Sequence, residues 1–277
     1  MAYWQWGNPD AAHTVVCVHG LTRQGRDFDV FAQALLERSS DAVRIICPDI
    51  AGRGASDWLK NPKAYAVPTY ATDCLALLLQ LKIRTLDWVG TSMGGLIGMA
   101  LCGQMAAAAG IRLRRLVLND VGPTLEWPSL MRIGSYVGSQ MHFPSLAAAA
   151  GAMRLVLQGF GPHTEAQWMA LSRHNVKASA DGGVVLHYDP AIAIGFRETA
   201  PADWQKGSAV LWALYDAMKQ PTLVLRGAES DLLSADTAQQ MTQRGPQATL
   251  HTFPGVGHAP TLIAEGQIDA VASFLLR

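Results

Sequence analysis

The strongest constraint in the sequence is a serine between glycines, placed where a predicted strand meets a predicted helix. Residues 86–89 form a short apolar run that predicts a buried strand, and a helical pattern begins near Met93. The turn between them reads Gly90-Thr91-Ser92-Met93-Gly94, which matches the pattern G-x-S-x-G. In this context we predict a sharp, strained turn that lifts the Ser92 hydroxyl clear of the sheet, rather than a plain glycine-rich turn. The glycines lack a Cβ, so strand and helix can approach each other without a clash.

Apolar runs that end in glycine or proline alternate with helical patterns on both sides of this turn. This alternation predicts an α/β fold with a mostly parallel, twisted sheet and helices on its faces. We expect Thr69 to be the N-cap of the second helix. The other strands are predicted at residues 3–7, 13–20, 43–49, 115–119, 222–226 and 248–253, and the other core helices at 26–38, 208–219, 235–244 and 267–276.

One interval is too long for an ordinary connection. Roughly a hundred residues separate the strands that end at Asn119 and begin at Thr222, whereas a crossover needs only about a dozen. We therefore predict an inserted helical cap over residues 123–212, with the core of the fold formed by residues 1–122 and 213–277. The cap contains helical patterns at 128–138, 145–158 and 164–178, the last opening with a capping box from Thr164 to Gln167, and an extended piece at 184–188.

Composition excludes several classes of function. Hydrophobic residues make up 49% of the chain and the net charge is zero, so neither disorder nor binding to nucleic acid is indicated. No signal peptide is visible, and no apolar run reaches the roughly 18 residues of a membrane span, so we expect a cytoplasmic protein without membrane contact. No cluster of histidine, cysteine and acidic residues has the spacing of a metal site. Gly52-Arg53-Gly54 lacks the third glycine of a nucleotide-binding loop and is followed by prolines.

A nucleophilic serine needs a base, and His258 is the best placed of eight histidines. It follows the last predicted strand and precedes the last helix, where loops at the carboxyl ends of parallel strands build sites. His19 directly follows another strand, and we interpret it as a structural hydrogen-bonding residue.

Several segments spread along the chain resemble the α/β-hydrolase superfamily, specifically its capped bacterial serine hydrolases. The resemblance covers the core of the whole chain and rests on VVCVHGLTRQGRDF (15–28), CPDIAGRGASDW (47–58), VGTSMGG (89–95), LVLNDVGP (116–123), LVLRGAESDLLS (223–234) and GVGHAPTL (255–262). It implies a Ser-His-Asp triad in the chain order Ser92, Asp231, His258. It also implies an oxyanion hole formed by the backbone N–H groups of Leu21 and Met93.

The acid of the implied triad has two main candidates, Asp120 and Asp231, because each follows a core strand. We predict Asp231, since its spacing from Gly227 matches the turn usual in the family and its loop could offer backbone donors to a carboxylate. Asp120 stands before Gly122-Pro123, where a role in the turn toward the cap would explain it. Glu229 is a weaker third candidate.

The resulting hypothesis is a serine hydrolase that cleaves carboxylic esters of small molecules through an acyl-enzyme, without cofactor or metal. A C–C bond hydrolase or a lactonase would use the same triad, and a ligand-sensing protein with negligible turnover is an alternative of another class. Trp127 and Trp204 of the predicted cap are candidates to line the substrate pocket. The expected assembly is a monomer or a homodimer.

Overall fold

The protein is described by a computed structural model that covers residues 1–198 and 200–277, with the side chain of Phe196 also excluded. Thr199, which falls within the predicted cap, lies outside the described residues. In the described part of the chain, no helix combines the length and apolar character needed to cross a bilayer.

A seven-stranded sheet forms the centre of the molecule. Its spatial order is β1-β3-β2-β4-β5-β9-β10, and every neighbouring pair is parallel except β1 with β3. The mostly parallel α/β fold predicted from the alternating pattern is therefore confirmed, including the edge strand at the N-terminus. The strands are β1 (Tyr3–Gly7), β2 (His13–Val18), β3 (Val43–Pro48), β4 (Thr85–Thr91), β5 (Arg112–Asn119), β9 (Thr222–Gly227) and β10 (Thr249–Phe253).

Alternate residues of the buried strands supply two separate cores. In β2, Val15 and Cys17 belong to one hydrophobic cluster, whereas Val16 and Val18 belong to the other. This is the period of two expected of a strand covered on both faces. The first cluster packs under α1 (Asp29–Arg38) and α11 (Glu265–Leu275), and the second under α2 (Val67–Gln80) and α3 (Met93–Ala100).

The start of helix α2 differs from what the sequence pattern predicted, and helix α3 is followed by an irregular turn. Helix α2 begins at Val67 after Ala66, so the prediction of Thr69 as its N-cap is wrong. The reason is Pro68, which is well suited to the first turn of a helix because its missing N–H would have no partner there. Helix α3 is followed by a π-helical turn (Leu101–Met105), in which Gly103 has a non-helical ψ of −145°, and then by the short α4 (Ala106–Ala108).

The segment between β5 and β9 holds both helices and a small antiparallel sheet. Its helices are α5 (Trp127–Tyr136), α6 (Leu146–Val156), α7 (Glu165–Arg173), α8 (Ala193–Glu198) and α9 (Pro201–Ala217), and α10 (Ala235–Met241) follows β9. The capping box of Thr164 and Gln167 is confirmed at the start of α7. The predicted extension of that helix to Ala178 is wrong, because residues 176–178 pair in the sheet formed by β6 (His142–Phe143), β8 (Val184–Leu186) and β7 (Val176–Ala178).

Helix α3 packs so closely on the sheet that a methyl group does not fit at Gly94. A Cβ built there would lie 2.0 Å from the carbonyl oxygen of Val18 and 3.1 Å from that of His19. Both neighbours are backbone atoms of β2 and the loop after it, so they cannot swing aside as a flexible side chain would.

We predict that Gly94→Ala lowers the free energy of unfolding by about 1–3 kcal/mol, the usual effect of overpacking a core. Chemical denaturation of the purified variant measures this. Gly151→Ala in α6 is the matched control, because a Cβ there meets nothing within 4 Å and alanine should stabilise an open helix position by roughly 0.5–1 kcal/mol. Equal stability of the two variants would contradict the close packing at Gly94.

Candidate active site

Ser92 lies on the turn between β4 and α3 in the strained conformation expected of it. Its φ of 52° and ψ of −116° lie in a region that residues with a side chain rarely adopt. The Ser92 amide donates to the carbonyl of Asn119 (2.9 Å), which ties the turn to the end of β5. A Cβ at Gly90 would lie 2.3 Å from the carbonyl oxygen of Gly94, so the turn requires glycine at that position.

His258 reaches the Ser92 hydroxyl from the loop after β10. Its Nε2 lies 3.0 Å from Ser92 Oγ. The side chain is 13% exposed, and it lines a cavity together with Ser92. The structure therefore brings together the two residues that the sequence predicted as nucleophile and base.

The carboxylate beside His258 belongs to Asp120 and not to Asp231. His258 Nδ1 lies 2.8 Å from Asp120 Oδ2, and Asp120 is fully buried. Asp120 directly follows β5 and has a positive φ of 54°. The prediction that Asp231 is the carboxylate that contacts His258 is therefore wrong. A role for Asp120 in the turn toward the cap does not account for its hydrogen bond to His258.

The end of β9 and the loop after it explain why Asp120, and not Asp231, is the carboxylate that contacts His258. The Gly227 amide donates to Asp120 Oδ1 (2.8 Å), and the Ser230 hydroxyl donates to Asp120 Oδ2 (2.6 Å). The sequence correctly indicated that this loop offers donors to a carboxylate, but the donors serve the aspartate of the neighbouring strand. Charge-assisted hydrogen bonds of this kind stabilise the ionised form of a buried carboxylate.

Asp231 instead forms an ion pair with Arg132 of α5. Arg132 Nε lies 2.8 Å from Asp231 Oδ2, and both side chains are 46% exposed. The Ser129 hydroxyl donates to the backbone carbonyl of Asp231. Asp231 therefore connects the loop after β9 to helix α5, which contains both Ser129 and Arg132.

The two predicted oxyanion-hole residues, Leu21 and Met93, lie beside Ser92 and line a cavity with it. No turn, loop or side-chain hydrogen bond in the described part of the chain uses the backbone N–H of either residue. Met93 is the first residue of α3, where N–H groups have no partner within the helix.

His19 has a structural role, as predicted. Its Nδ1 lies 2.7 Å from the carbonyl oxygen of Gly20, and its Nε2 accepts a hydrogen bond from the Ile50 amide at 3.0 Å. Burial lowers the pKa of His19 to about 3, so the imidazole is neutral. It joins the loop after β2 to the loop after β3.

Two cavities of different character meet at Ser92. The first has a volume of about 330 Å³ and a mainly apolar lining that includes Met93, Leu125 and Leu130, as well as both tryptophans predicted to line the pocket, Trp127 and Trp204. The second has a volume of about 490 Å³, and its lining includes His258, Arg132, Asp231 and Glu229. Ser92 and Leu21 border both cavities.

Comparison with known proteins places the chain in a family. Residues 15–273 match the model of the alpha/beta hydrolase family. The chain is 42% identical to a 3-hydroxybutyrate-oligomer hydrolase of Cupriavidus necator, over 99% of this chain and 92% of that protein. It is 30% identical to a 2-hydroxymuconate semialdehyde hydrolase of Pseudomonas putida, over 80% of this chain and 72% of that protein.

A solved structure agrees with these matches. The crystal structure of an alpha/beta hydrolase from Novosphingobium aromaticivorans superposes with a TM-score of 0.84 at 35% identity, over 99% of this chain and 93% of that one. The fold, the matched family model and these relatives agree that the chain belongs to the alpha/beta hydrolase family and is a hydrolase.

Proposed function

We propose that this hydrolase cleaves carboxylic esters through an acyl-enzyme, with Ser92 as nucleophile, His258 as base and Asp120 as the orienting acid. The supporting observation is the continuous chain of contacts from Ser92 Oγ to His258 Nε2 and from His258 Nδ1 to Asp120 Oδ2. Such a chain is recognised by its geometry and by the role of each group, whatever the position of the residues in the sequence.

The hydrogen bonds around Asp120 determine the proton positions that this chemistry needs. An ionised Asp120 only accepts, so the imidazole proton stays on Nδ1 and Nε2 is free to take the proton of Ser92. Ser92 Oγ then attacks the carbonyl carbon of the ester. The negative charge that develops on the carbonyl oxygen is stabilised by the N–H groups of Leu21 and Met93.

Collapse of this intermediate breaks the bond to the alcohol, which leaves with the proton held by His258. Water then enters, gives a proton to His258 and attacks the acyl carbon on Ser92. The bond from that carbon to Ser92 Oγ breaks, the carboxylic acid leaves, and His258 returns its proton to Ser92 Oγ.

The two cavities suggest how an ester lies across Ser92. The leaving alcohol must be within reach of His258, which lines the polar cavity and not the apolar one. We therefore assign the alcohol portion to the polar cavity and the acyl portion to the apolar cavity beside Met93. A volume of about 330 Å³ is at the lower end of known ligand pockets, which favours a short acyl group.

Linear oligomers of 3-hydroxybutyrate are the substrate class that we favour. The name of the Cupriavidus relative supports this choice, because the match extends over nearly the whole of both chains. Such esters have a short acyl portion and a polar alcohol portion, which agrees with the two cavities.

Hydrolysis of a C–C bond is the second candidate, since the Pseudomonas relative is a 2-hydroxymuconate semialdehyde hydrolase. A lactonase and a ligand-sensing protein remain further alternatives. All of these could share the Ser92 arrangement, so substrate turnover must distinguish them.

We predict that the purified protein hydrolyses dimers and trimers of 3-hydroxybutyrate and short p-nitrophenyl esters over many turnovers. A vinylogous diketone offered to the same protein should react more slowly. Ser92→Ala should abolish turnover of every substrate while the protein remains folded, because it removes the nucleophile. Product release followed by chromatography, with circular dichroism as the control for folding, provides the measurement.

Faster turnover of the diketone than of any ester would identify a C–C hydrolase. Less than one turnover on the whole panel would favour the ligand-sensing alternative. Activity retained by the alanine variant would remove Ser92 from the mechanism.

We predict that Asp120→Asn lowers kcat by roughly 10⁴-fold, because an amide in that place stabilises the wrong tautomer of His258. Asp231→Asn should leave kcat within about threefold, since a half-exposed ion pair contributes little. Steady-state kinetics on the same ester under the same conditions compare the two. The opposite order of effects would make Asp231 the acid.

We predict that Trp127→Ala shifts the preference among p-nitrophenyl esters toward longer acyl chains, because it enlarges the apolar cavity. The quantity to compare is the ratio of kcat/KM for octanoate to that for butyrate. Trp212→Ala is the matched control: Trp212 lies in α9, bonds Thr124 through its indole N–H (2.8 Å) and does not line the cavity. An equal shift in both variants would point to a general effect of lost packing.

A further inference from the structure

Arg53 is a fully buried arginine that the proposed catalytic steps do not use. It lies in the loop after β3, between Gly52 and Gly54, and its exposure is 0%. Arginine is almost never fully buried unless it is paired, so its surroundings require an explanation.

The guanidinium contacts both residues of the proposed oxyanion hole. Its Nε donates to the carbonyl oxygen of Leu21 at 2.7 Å, and its Nη2 lies 3.5 Å from the sulfur of Met93. A single side chain thus contacts both the loop after β2 and the first residue of α3, whose N–H groups would bind the carbonyl oxygen of the substrate. Arg53 is not among the residues that line either cavity at Ser92.

Among the described residues, no carboxylate bonds or ion-pairs with Arg53. Its Nη1 donates to the carbonyl of Ala51 (2.7 Å) and to the hydroxyl of Tyr70 (3.0 Å). The guanidinium carbon lies 4.9 Å from the ring centre of Tyr70 and 5.7 Å from that of Tyr65.

The Asp189 carboxylate lies one residue further from the guanidinium: it accepts a hydrogen bond from the Tyr65 hydroxyl at 2.5 Å, and the Tyr65 ring faces Arg53. Burial lowers the pKa of Arg53, but a guanidinium stays protonated in proteins. The positive charge is therefore solvated by neutral dipoles and aromatic faces.

We propose that Arg53 is a positioning residue that fixes Leu21 and Met93 and adds a buried positive charge behind the oxyanion they stabilise. The inference rests on the proposed serine-hydrolase function. A fixed charge in a site of low dielectric favours the anionic intermediate over the neutral ester, so the effect should fall on kcat more than on KM.

A purely structural role, in which Arg53 attaches the segment between β5 and β9 to the loop after β3, is less well supported. That attachment uses backbone hydrogen bonds of the neighbouring glycines: the Asp189 amide donates to Gly52 (2.7 Å), and the Gly54 amide donates to the carbonyl of His187 (3.1 Å). These bonds do not involve the guanidinium.

The test compares Arg53→Met, Arg53→Lys and the parent chain by the rate at which a fluorophosphonate probe labels Ser92. In this reaction the Ser92 oxygen bonds to phosphorus, fluoride leaves and the serine proton passes to His258. The phosphoryl oxygen occupies the same hole, and no knowledge of the natural substrate is needed. Values of kcat and KM on p-nitrophenyl butyrate are measured in parallel, and thermal unfolding reports the folded fraction.

Arg114→Met is the matched control for the loss of a partly buried arginine. Arg114 lies on β5, where it bonds the buried Asp87 at 3.0 and 3.1 Å. The control should lose stability but label at the parent rate.

We expect Arg53→Met to reduce both the labelling rate and kcat by at least about tenfold, with KM little changed. The expected loss is smaller than the roughly 10²–10³ in kcat that removing one oxyanion donor outright costs. Arg53→Lys should recover part of the loss. Parent-like rates in a folded Arg53→Met would overturn the inference, as would a loss carried by KM alone.

If Arg53→Met does not fold, Arg53→Lys decides: slower labelling at an unchanged melting temperature supports the inference, and an unchanged rate refutes it. Failure to label Ser92 in the parent chain would instead refute the proposed function, and the inference with it.

Discussion

The close approach of β4 and α3 at the Ser92 turn is the constraint on which the rest of the site depends. Gly90 and Gly94 allow this approach, because a Cβ at either position would lie within 2.3 Å of a backbone oxygen. The turn then holds Ser92 in a strained conformation and places the Met93 N–H in the first turn of the helix, where N–H groups have no partner within the helix. A strain of this kind costs about 1–3 kcal/mol, which the packed strand and helix around it must offset.

The parallel sheet brings the other parts of the site to this turn. Leu21, Arg53, Asp120 and Ser230 follow the carboxyl ends of strands in the same sheet, and His258 follows the edge strand β10. The other donor to Asp120, Gly227, is the last residue of β9. Residues far apart in sequence therefore meet at one edge of the sheet. Each carboxylate or guanidinium buried there has hydrogen-bond partners, as burial of a charge requires.

The sequence predicted the parts of the site that depend on local pattern. The G-x-S-x-G turn, the strands around it and the position of His258 follow from spacing and from the alternation of elements, and the structure brings Ser92 and His258 into contact. The choice between Asp120 and Asp231 depended on which of the two side chains points toward His258. That direction follows from the positive φ of Asp120 and from the hydroxyl of Ser230, neither of which a pattern of residue types reveals.

The sequence did not predict a role for Arg53 in the site for a similar reason, since the evidence for that role is its burial and the atoms it contacts. Of the small sheet, the extended piece predicted at 184–188 corresponds to β8, whereas β6 and β7 were not predicted, because strands of two or three residues carry almost no periodicity. The predicted cap boundaries at residues 123 and 212 remain predictions.

The central claim is that Asp120 holds the imidazole of His258 for attack by Ser92, and proton NMR of histidine-labelled protein tests it most directly. The His258 proton on Nδ1, hydrogen-bonded to a buried carboxylate, should give a resonance far downfield of the other imidazole protons. The account predicts that this resonance persists in Asp231→Asn and is lost or strongly shifted in Asp120→Asn. Persistence in Asp120→Asn together with loss in Asp231→Asn would contradict it.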